Sequence, residues 1–401
     1  MSVLVETQIK GKEAVKQRLL EEVRFALELT DSGISFNSED IKKLSGTDEI
    51  PSPFQGKQLG VSFKLPHGIS VNGKYSRWTP YSIIVENGKP ILYKEKEAIA
   101  EVTINEPKRP HPVLEKVLST GEKVRNILNI DPHGQVNVSY SAECSLKDLG
   151  EDCLFCSINV RERDPERPLL KNPRQIAEAY DFVRQEGLAN HFKISGGFVP
   201  ERRELEYYID VVEAIRETHK KFKGVAVIGA PADLSILSKY KEAGYTDLSH
   251  NLEVWDKNLF GLICPGKSKR NGGWEHWVKS LEAAVDVFGW GNVHSNFVGG
   301  LDQKELFLEG IEYLSSKGVV AHFGTFRPLV GTGLEGFRTP EPWFHWEVLD
   351  KATDIQLRYG FTTEQLYRGP GSGDHTGRVV RIKRGDFEGD KLDTYQFPSI
   401  D

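Results

Sequence analysis

Residues 140–156 read Tyr140-Ser-Ala-Glu-Cys144-Ser-Leu-Lys-Asp-Leu-Gly-Glu-Asp-Cys153-Leu-Phe-Cys156 and contain three of the four cysteines in the 401-residue chain. They follow directly on a strand-like run from Val136 to Tyr140. Thiolates are the usual ligands of iron-sulfur clusters, and three of them hold three corners of a four-iron cube while one iron stays open. The eight residues between Cys144 and Cys153 form a polar loop long enough to surround such a cluster. The spacing therefore favours a cluster over a single small ion.

Cysteines at such a spacing can also bind zinc or form disulfides. A structural zinc site needs four ligands, usually in two separated pairs, and the remaining cysteine, Cys264, stands more than a hundred residues farther along the chain. Zinc bound by three cysteines and one histidine stays open as an alternative. Disulfides are disfavoured, because four cysteines in 45.2 kDa lie far below the density of a secreted disulfide scaffold.

The composition excludes several classes of protein. A formal net charge of -6 and a pI near 6.1 argue against a nucleic-acid binder, which needs a basic footprint. No apolar run approaches the roughly twenty residues that cross a bilayer, so no membrane association is expected. Residues Met1 to Thr7 include no apolar signal segment. We therefore expect a globular enzyme in the reducing cytoplasm.

Between residues 131 and 340, short apolar runs alternate with amphipathic helical patterns. This alternation is typical of βα units around a parallel sheet. Six strands are too few for a closed eight-stranded barrel, so we predict an open, partial (β/α)6 barrel of the α/β class. Catalytic groups gather where barrel strands end, and the cysteine loop follows the first strand. The six predicted strands are Val136–Tyr140, His191–Ser195, Gly224–Gly229, Tyr245–Leu252, Asn292–Val298 and Val319–Phe326.

The sequence before the barrel predicts an α+β extension over residues 1–130. A helix from Ile9 to Thr30 precedes several strand-like runs. Asn87-Gly88 lies between two apolar runs and predicts a tight hairpin. A further helix is predicted from Val113 to Leu128.

The sequence after the barrel predicts a short flank over residues 341–401. A helix from Trp343 to Tyr359 leads into a glycine-rich turn. The apolar run from Gly377 to Lys383 then predicts a strand. The order of extension, barrel and flank gives three predicted segments.

The cysteine loop after the first strand of a partial barrel resembles the radical S-adenosylmethionine (SAM) superfamily. The usual spacing in that family is Cys-x3-Cys-x2-Cys, and this chain keeps the second interval but has eight residues in the first. The resemblance implies that Cys144, Cys153 and Cys156 bind a 4Fe-4S cluster. It also places Phe155 where an aromatic side chain shields the cluster and covers the adenine of SAM.

Further matches follow the later strands in the expected order. Gly196 and Gly197, after the second strand, resemble the family's Gly-Gly-Glu stretch, whose backbone oxygens bind the SAM amino group, although Phe198 stands in the place of the Glu. Glu253, after the fourth strand, resembles a carboxylate that contacts SAM in the biotin synthase and hydrogenase-maturase branch. The resemblance also suggests Lys269 or Arg270 for the SAM carboxylate, since a guanidinium fork matches a carboxylate.

The last two strands complete the resemblance. The segment from Asn296 to Leu301, with Val298 within it, resembles the strand beside the adenine. Arg327, followed by Pro328 and then Gly331-Thr332, resembles a turn after the sixth strand in the same branch. Three residues are candidates for catalysis at the cavity: Cys264, His322 and Tyr140.

The resemblance implies an oxygen-sensitive enzyme that cleaves SAM reductively and abstracts hydrogen from a small molecule or a short peptide segment. Its electron donor would be a protein such as flavodoxin or ferredoxin. Three alternatives stay open. They are a radical SAM methyltransferase with cobalamin bound outside a standard motif, a zinc-stabilised barrel hydrolase and a non-catalytic cluster carrier.

Overall fold

The computed structural model describes residues 11–45, 59–105, 111–158, 168–270, 272–369 and 373–400. The chain divides into two compact units. The first takes in Met1–Arg109, Glu341–Glu347 and Arg378–Asp393, and the second takes in Pro110–Pro340, Val348–Gly377 and Thr394–Asp401. The segment boundaries at residues 130 and 340 stay a prediction. Within the described ranges, no helix has the length and apolar character to cross a bilayer.

The described residues of the first unit up to residue 105 form two small sheets and two helices. One sheet has the strand order β1-β4-β5-β6 and the other the order β3-β2-β7. The elements are α1 (Lys12–Ser32), β1 (Ser35–Phe36), α2 (Ser38–Ser45), β2 (Gly60–Lys64), β3 (Ser70–Lys74), β4 (Tyr81–Glu86), β5 (Lys89–Lys94), β6 (Glu97–Glu101) and β7 (Thr103–Ile104).

The hairpin between β4 and β5 has the predicted turn. Asn87 and Gly88 both have positive φ, 52° and 78°, as the two central residues of a type I′ turn require. Glu86 pairs with Lys89 across the turn. The hairpin prediction is confirmed.

The rest of the chain contains the following elements in order: α3 (Val124–Ile127), β8 (Asn129–Ile130), β9 (Gln135–Ser141), α4 (Ser145–Asp148), α5 (Pro173–Gln185), β10 (His191–Gly196), α6 (Glu201–Thr218), β11 (Gly224–Val227), α7 (Leu237–Ala243), β12 (Asp247–Ser249), α8 (Lys257–Ile263), α9 (Pro265–Lys269), α10 (Gly273–Phe288), β13 (Val293–Gly299), α11 (Lys304–Ser316), β14 (Val319–Thr325), α12 (Pro342–Arg358), α13 (Thr363–Arg368) and α14 (Gly373–Arg384). The sheet of the second unit runs β14-β13-β12-β11-β10-β9-β8. Strands β9 to β14 are parallel to their neighbours, and β8 is antiparallel to β9. The predicted partial (β/α)6 barrel is confirmed.

The outer face of this sheet packs against the helices through aromatic side chains. Tyr180 of α5 meets Phe192 of β10 edge to face, with ring centroids 5.6 Å apart. Phe307 of α11 contacts both Phe297 of β13 and Phe323 of β14 in the same way. Such pairs add about 0.5–1.5 kcal/mol each beyond the burial of their area. The helices are thereby fixed on one face, and the other face is left for the site.

The sheet curls around its inner face. Asp247 of β12 lies 3.8 Å from His191 of β10, although β11 stands between the two strands. Neighbouring strands are about 4.8 Å apart, so a contact across an intervening strand requires a concave surface. The inner face therefore forms the lumen of the half barrel.

Two predicted elements were wrong. The helix predicted from Val113 to Leu128 is a 3-10 helix (Pro112–Glu115) and the short α3, separated by a turn in which Gly121 has φ 97°. The strand predicted from Gly377 to Lys383 is part of helix α14. Its β-branched residues suggested a strand, but Thr376, Val379 and Val380 are buried together at helical spacing, and tertiary packing overrides local propensity.

Candidate active site

The three loop cysteines lie just beyond the carboxyl end of β9. Cys144 immediately precedes α4, and Cys153 and Cys156 share a tight turn in which the Cys156 amide donates to the Cys153 carbonyl at 2.9 Å. Burial and the neighbouring thiols of Cys153 and Cys144 raise the pKa of Cys156 to about 11. The three thiols therefore lie close enough for their charges to interact.

Backbone hydrogen bonds hold this loop to three other segments. The Ser145 amide donates to the Phe198 carbonyl after β10 at 3.0 Å, and the Leu154 amide donates to the Ile263 carbonyl in α8 at 2.9 Å. The Leu334 amide, from the segment after β14, donates to the Leu154 carbonyl at 3.0 Å. These bonds hold the loop to three other segments of the chain. Because they join backbone groups, a side-chain substitution does not remove them.

Gly196 and Gly197 allow the chain after β10 to approach the cysteine loop closely. A Cβ atom on Gly197 would stand 2.0 Å from the Glu143 carbonyl oxygen, and one on Gly196 would stand 2.5 Å from the Tyr140 ring. The strand pairing also shifts between Ser195 and Gly196. The pair is thus required for packing beside the loop, and its contact with SAM stays a prediction.

Glu253 and Val298 lie together at the ends of β12 and β13. The Glu253 amide donates to the Asn296 carbonyl at 2.8 Å, and its carbonyl accepts from the Val298 amide at 2.7 Å. Glu253 has φ 71°, a backbone conformation that is uncommon for a non-glycine residue and is often found at functional sites. Its side chain is buried and faces Lys267.

Lys267 compensates the charge of Glu253. Its Nζ donates to Glu253 Oε1 at 2.8 Å and to the Asn251 carbonyl at 2.7 Å, and it lies 4.8 Å from the centre of the Trp277 ring. Burial disfavours the ammonium, but the charges of Glu253, Cys153 and Cys264 outweigh burial and raise its pKa. Lys267 is therefore a fixed cation beside the cysteine loop.

The sequence prediction selected Arg270, a more exposed residue three positions away. Its Nη2 reaches Glu151 of the cysteine loop at 3.5 Å, and its guanidinium lies 5.8 Å from the Phe198 ring. Lys269 also pairs with Glu151, at 3.0 Å. Sequence reasoning missed Lys267, although its position three residues after Cys264 on a short helix was a usable signal.

Cys264 lies beside the loop cysteines. It is buried at the start of α9, and the interaction with its thiol lowers the pKa of Cys153. Burial and the neighbouring Cys153 raise the pKa of Cys264 well above its usual value. Cys264 is thus a neighbour of the predicted cluster site.

Other predicted residues lie elsewhere. The Tyr140 ring stacks on Tyr207 of α6 at 4.8 Å, and its hydroxyl donates to Glu204 at 3.4 Å, on the helix-covered face of the sheet. Phe155 is half-buried in the loop, and Arg327 is exposed after β14. Their catalytic or cofactor-binding roles stay predictions.

His322 lies on the lumen side of β14. It is fully buried, and its Nε2 lies 3.0 Å from His294 Nδ1. Its strand neighbour in register is Asn296 of β13. The structure thus places His322 in a polar cluster on the inner face of the barrel.

In the part of the chain that the structure describes, no three His, Cys, Asp or Glu side chains converge on a position for one metal ion. A structural zinc needs four ligands around a single centre. A four-iron cluster instead takes each thiolate at a different iron. Three cysteines in one loop are the kind of donor set such a cluster takes, and binding by Cys144, Cys153 and Cys156 stays a prediction.

Comparisons with known proteins agree on one family. The model of the radical SAM superfamily matches residues 140–314. Bacteriochlorophyllide c C-7(1)-hydroxylase of Chlorobaculum limnaeum is 28% identical over 273 residues, which are 63% of this chain and 66% of that protein. Biotin synthase of Macrococcus caseolyticus is 29% identical over 104 residues, which are 26% of this chain and 31% of that protein. The chain therefore spans less than two thirds of either relative.

Two solved structures are also similar. HydG, a maturase of the FeFe-hydrogenase, superposes with a TM-score of 0.46 at 12% identity, covering 63% of this chain and 56% of HydG. Methylornithine synthase (PylB) superposes with a TM-score of 0.44 at 16% identity, covering 68% of this chain and 78% of PylB.

Proposed function

Because this chain belongs to the radical SAM superfamily, we propose that Cys144, Cys153 and Cys156 bind its 4Fe-4S cluster and that the enzyme abstracts hydrogen from a carbon atom of a small organic molecule. Enzymes of this superfamily use such a cluster together with SAM and take electrons from a reductant. When bound, these cofactors supply a 5′-deoxyadenosyl radical by one-electron cleavage of SAM.

The arrangement of the cysteine loop is the observation that carries this proposal. Three thiols occupy one loop at the carboxyl end of β9, and backbone bonds to Phe198, Ile263 and Leu334 fix its shape. Such fixing holds ligands in position before a cofactor arrives, which is what a precise site requires. Cys264 stands outside the proposed ligand set, as a buried neighbour of Cys153.

The residues around the loop have separate proposed roles. Glu253 and the backbone of Gly196 and Gly197 would hold the polar groups of SAM, while Val298 would lie beside the adenine. Lys267 keeps Glu253 ionised and oriented, since a carboxylate buried without a partner would tend to protonate.

The substrate class is inferred from the named relatives. The hydroxylase acts on bacteriochlorophyllide c, as its name states, and hydroxylation replaces a hydrogen on carbon. We propose that this chain likewise modifies a carbon-hydrogen bond of a small molecule. A flavodoxin or ferredoxin in a reducing cytoplasm would supply the electron.

The test is SAM cleavage by anaerobically reconstituted, reduced protein without added substrate. We expect slow release of 5′-deoxyadenosine, measured by mass spectrometry, and loss of both that release and bound iron in Cys144→Ala and Cys156→Ala. Cys264→Ala is the matched control and should keep its iron. Retention of a full cluster in Cys144→Ala would contradict the ligand assignment.

A further inference from the structure

The inner face of β9 and β10 is polar along its whole length. Strands of a parallel sheet that are buried on both faces usually consist of nearly continuous apolar residues. Here every second residue is polar, and the apolar residues between them face the helices. The inward residues are Gln135, Asn137 and Ser139 of β9, and His191, Lys193 and Ser195 of β10.

A buried Asp-His-His chain fixes the proton positions in this lumen. The nearby imidazoles of His191 and His294 and the guanidinium of Arg368, whose Nη1 donates to Asp247 Oδ1 at 3.3 Å, together outweigh burial and hold the pKa of Asp247 well below its usual value, so its carboxylate can only accept. His294 Nε2 therefore donates to Asp247 Oδ1 at 3.3 Å, and in the neutral imidazole of His294 the Nδ1 atom is left as an acceptor. It accepts from His322 Nε2 at 3.0 Å. His322 Nδ1 is consequently a bare acceptor.

This acceptor has no partner. His322 is fully buried, and its Nδ1 makes no hydrogen bond to any described residue. The amide oxygens of Asn137 and Asn296 are also buried, and neither makes a hydrogen bond to a described residue. Asn296 pairs in register with His322, and Asn137 pairs in register with Lys193. Buried polar groups normally find partners, so three orphaned acceptors on one face indicate a missing ligand.

Lys193 is the cation of this lumen. It is half-buried, and among the described residues no carboxylate or hydrogen-bond acceptor pairs with its Nζ. The nearby Asp131 uses its Oδ1 to accept the amides of His133 and Gln135. The charge of Lys193 contributes, after burial and His294, to lowering the pKa of His322. His191, two residues before Lys193 on the same face of β10, lies 3.8 Å from Asp247, and Asp247 contacts His294, which contacts His322. Lys193 and His322 therefore face one space, although β10 and β14 are not neighbours in the sheet.

We propose that this lumen cluster, defined as Lys193, His322, Asn137 and Asn296, binds the anionic end of the substrate. A carboxylate or phosphate group pairs with Lys193, and N–H or O–H groups of the same molecule donate to His322 Nδ1 and to the amide oxygens of Asn137 and Asn296. An ammonium buried without a partner is costly, and an anion from the ligand removes that cost. The assignment rests on the proposed function only in taking this anion to belong to the molecule that is modified.

The experiment measures binding by titration calorimetry on the reconstituted protein, with hexanoate, hexyl phosphate and hexanamide as probes. We expect at least one of the two anions to bind about tenfold more tightly than the amide, since a charged hydrogen bond adds that much. Lys193→Met should abolish the preference and leave hexanamide binding unchanged. Lys239→Met, an exposed lysine on α7, is the matched control and should bind as the wild type does.

The outcomes are separable from those of the proposed function. Equal affinity for anions and amide in the wild type, no binding of either anion, or a preference that survives in Lys193→Met would each overturn this site. A preference for hexanoate alone assigns a carboxylate, and one for hexyl phosphate alone assigns a phosphate. If the anion binds through Lys193 but reduced protein releases no 5′-deoxyadenosine, the proposed function fails and the site stands.

Discussion

Two lysines of the second unit differ in how their charge is compensated. Lys267, beside the cysteine loop, pairs with Glu253 at 2.8 Å, and their side chains are 14% and 8% exposed. Lys193, in the lumen, pairs with no carboxylate among the described residues. The first cation is balanced within the protein and helps to fix the cofactor end of the barrel. The second leaves a charge for a ligand to balance, at some cost in stability.

The largest expected effect is that of Lys267→Met. Removing one partner of a buried ion pair leaves the other charge buried, which costs about 3–5 kcal/mol. The free energy of unfolding, measured with denaturant, should fall by that amount. Lys269→Met is the control, because the Lys269 pair with Glu151 is exposed and its loss should change little. Similar small losses in both variants would show that Lys267 is not held as a buried pair.

Gly197→Ala tests how tightly the cysteine loop is packed. The new Cβ would stand 2.0 Å from the Glu143 carbonyl oxygen, so the loop must shift. We expect a loss of about 1–3 kcal/mol of stability, as for other overpacked sites, and a severalfold fall in iron per chain. The control is Gly229→Ala, whose Cβ would meet only the Phe198 ring at 3.7 Å. Normal iron content in Gly197→Ala would mean that the loop tolerates displacement.

Lys193→Met should change the free energy of unfolding in the opposite direction to Lys267→Met. Replacing an unpaired, half-buried cation by an apolar side chain of similar length is neutral or stabilising, by up to about 1 kcal/mol. Denaturant unfolding of the apo protein provides the measurement. A large destabilisation would reveal a partner for Lys193 and remove the contrast between the two lysines.

The smallest expected effect is a pH dependence of the difference in unfolding free energy between Lys193→Met and the wild type. Burial lowers the pKa of Lys193 from its ordinary value of 10.5, so the unfolded chain binds more protons than the folded one between the two values. The contribution of Lys193 to the stability of the wild type should therefore rise with pH in that window. The advantage of Lys193→Met should be largest near neutral pH and should shrink as the pH approaches 10.5. An advantage that grows with pH would contradict the direction of the shift.

The local patterns in the sequence were sufficient for the barrel and the cysteine loop. Alternating strand and helix signals gave all six parallel strands, and Asn87-Gly88 gave the hairpin. The strand predicted from Gly377 to Lys383 failed because packing, which no local pattern contains, selected a helix.

The site residues that were missed depend on contacts between distant strands. Lys267 becomes important only when α9 brings it to Glu253. The inward position of Lys193 could have been predicted from the sequence, because His191, Lys193 and Ser195 alternate with apolar residues. Its lack of a partner, however, is a property of the whole lumen and cannot be read from one strand.

The most direct test of the account is the electron paramagnetic resonance spectrum of the dithionite-reduced protein, recorded with and without SAM. Three thiolate ligands leave one iron of the cluster open, and SAM at that iron must alter the electronic environment of the cluster. Ligation by Cys144, Cys153 and Cys156 predicts a reduced 4Fe-4S signal whose g values change on addition of SAM, in the wild type and in Cys264→Ala alike. A signal that is absent, or one that SAM leaves unchanged, would contradict it.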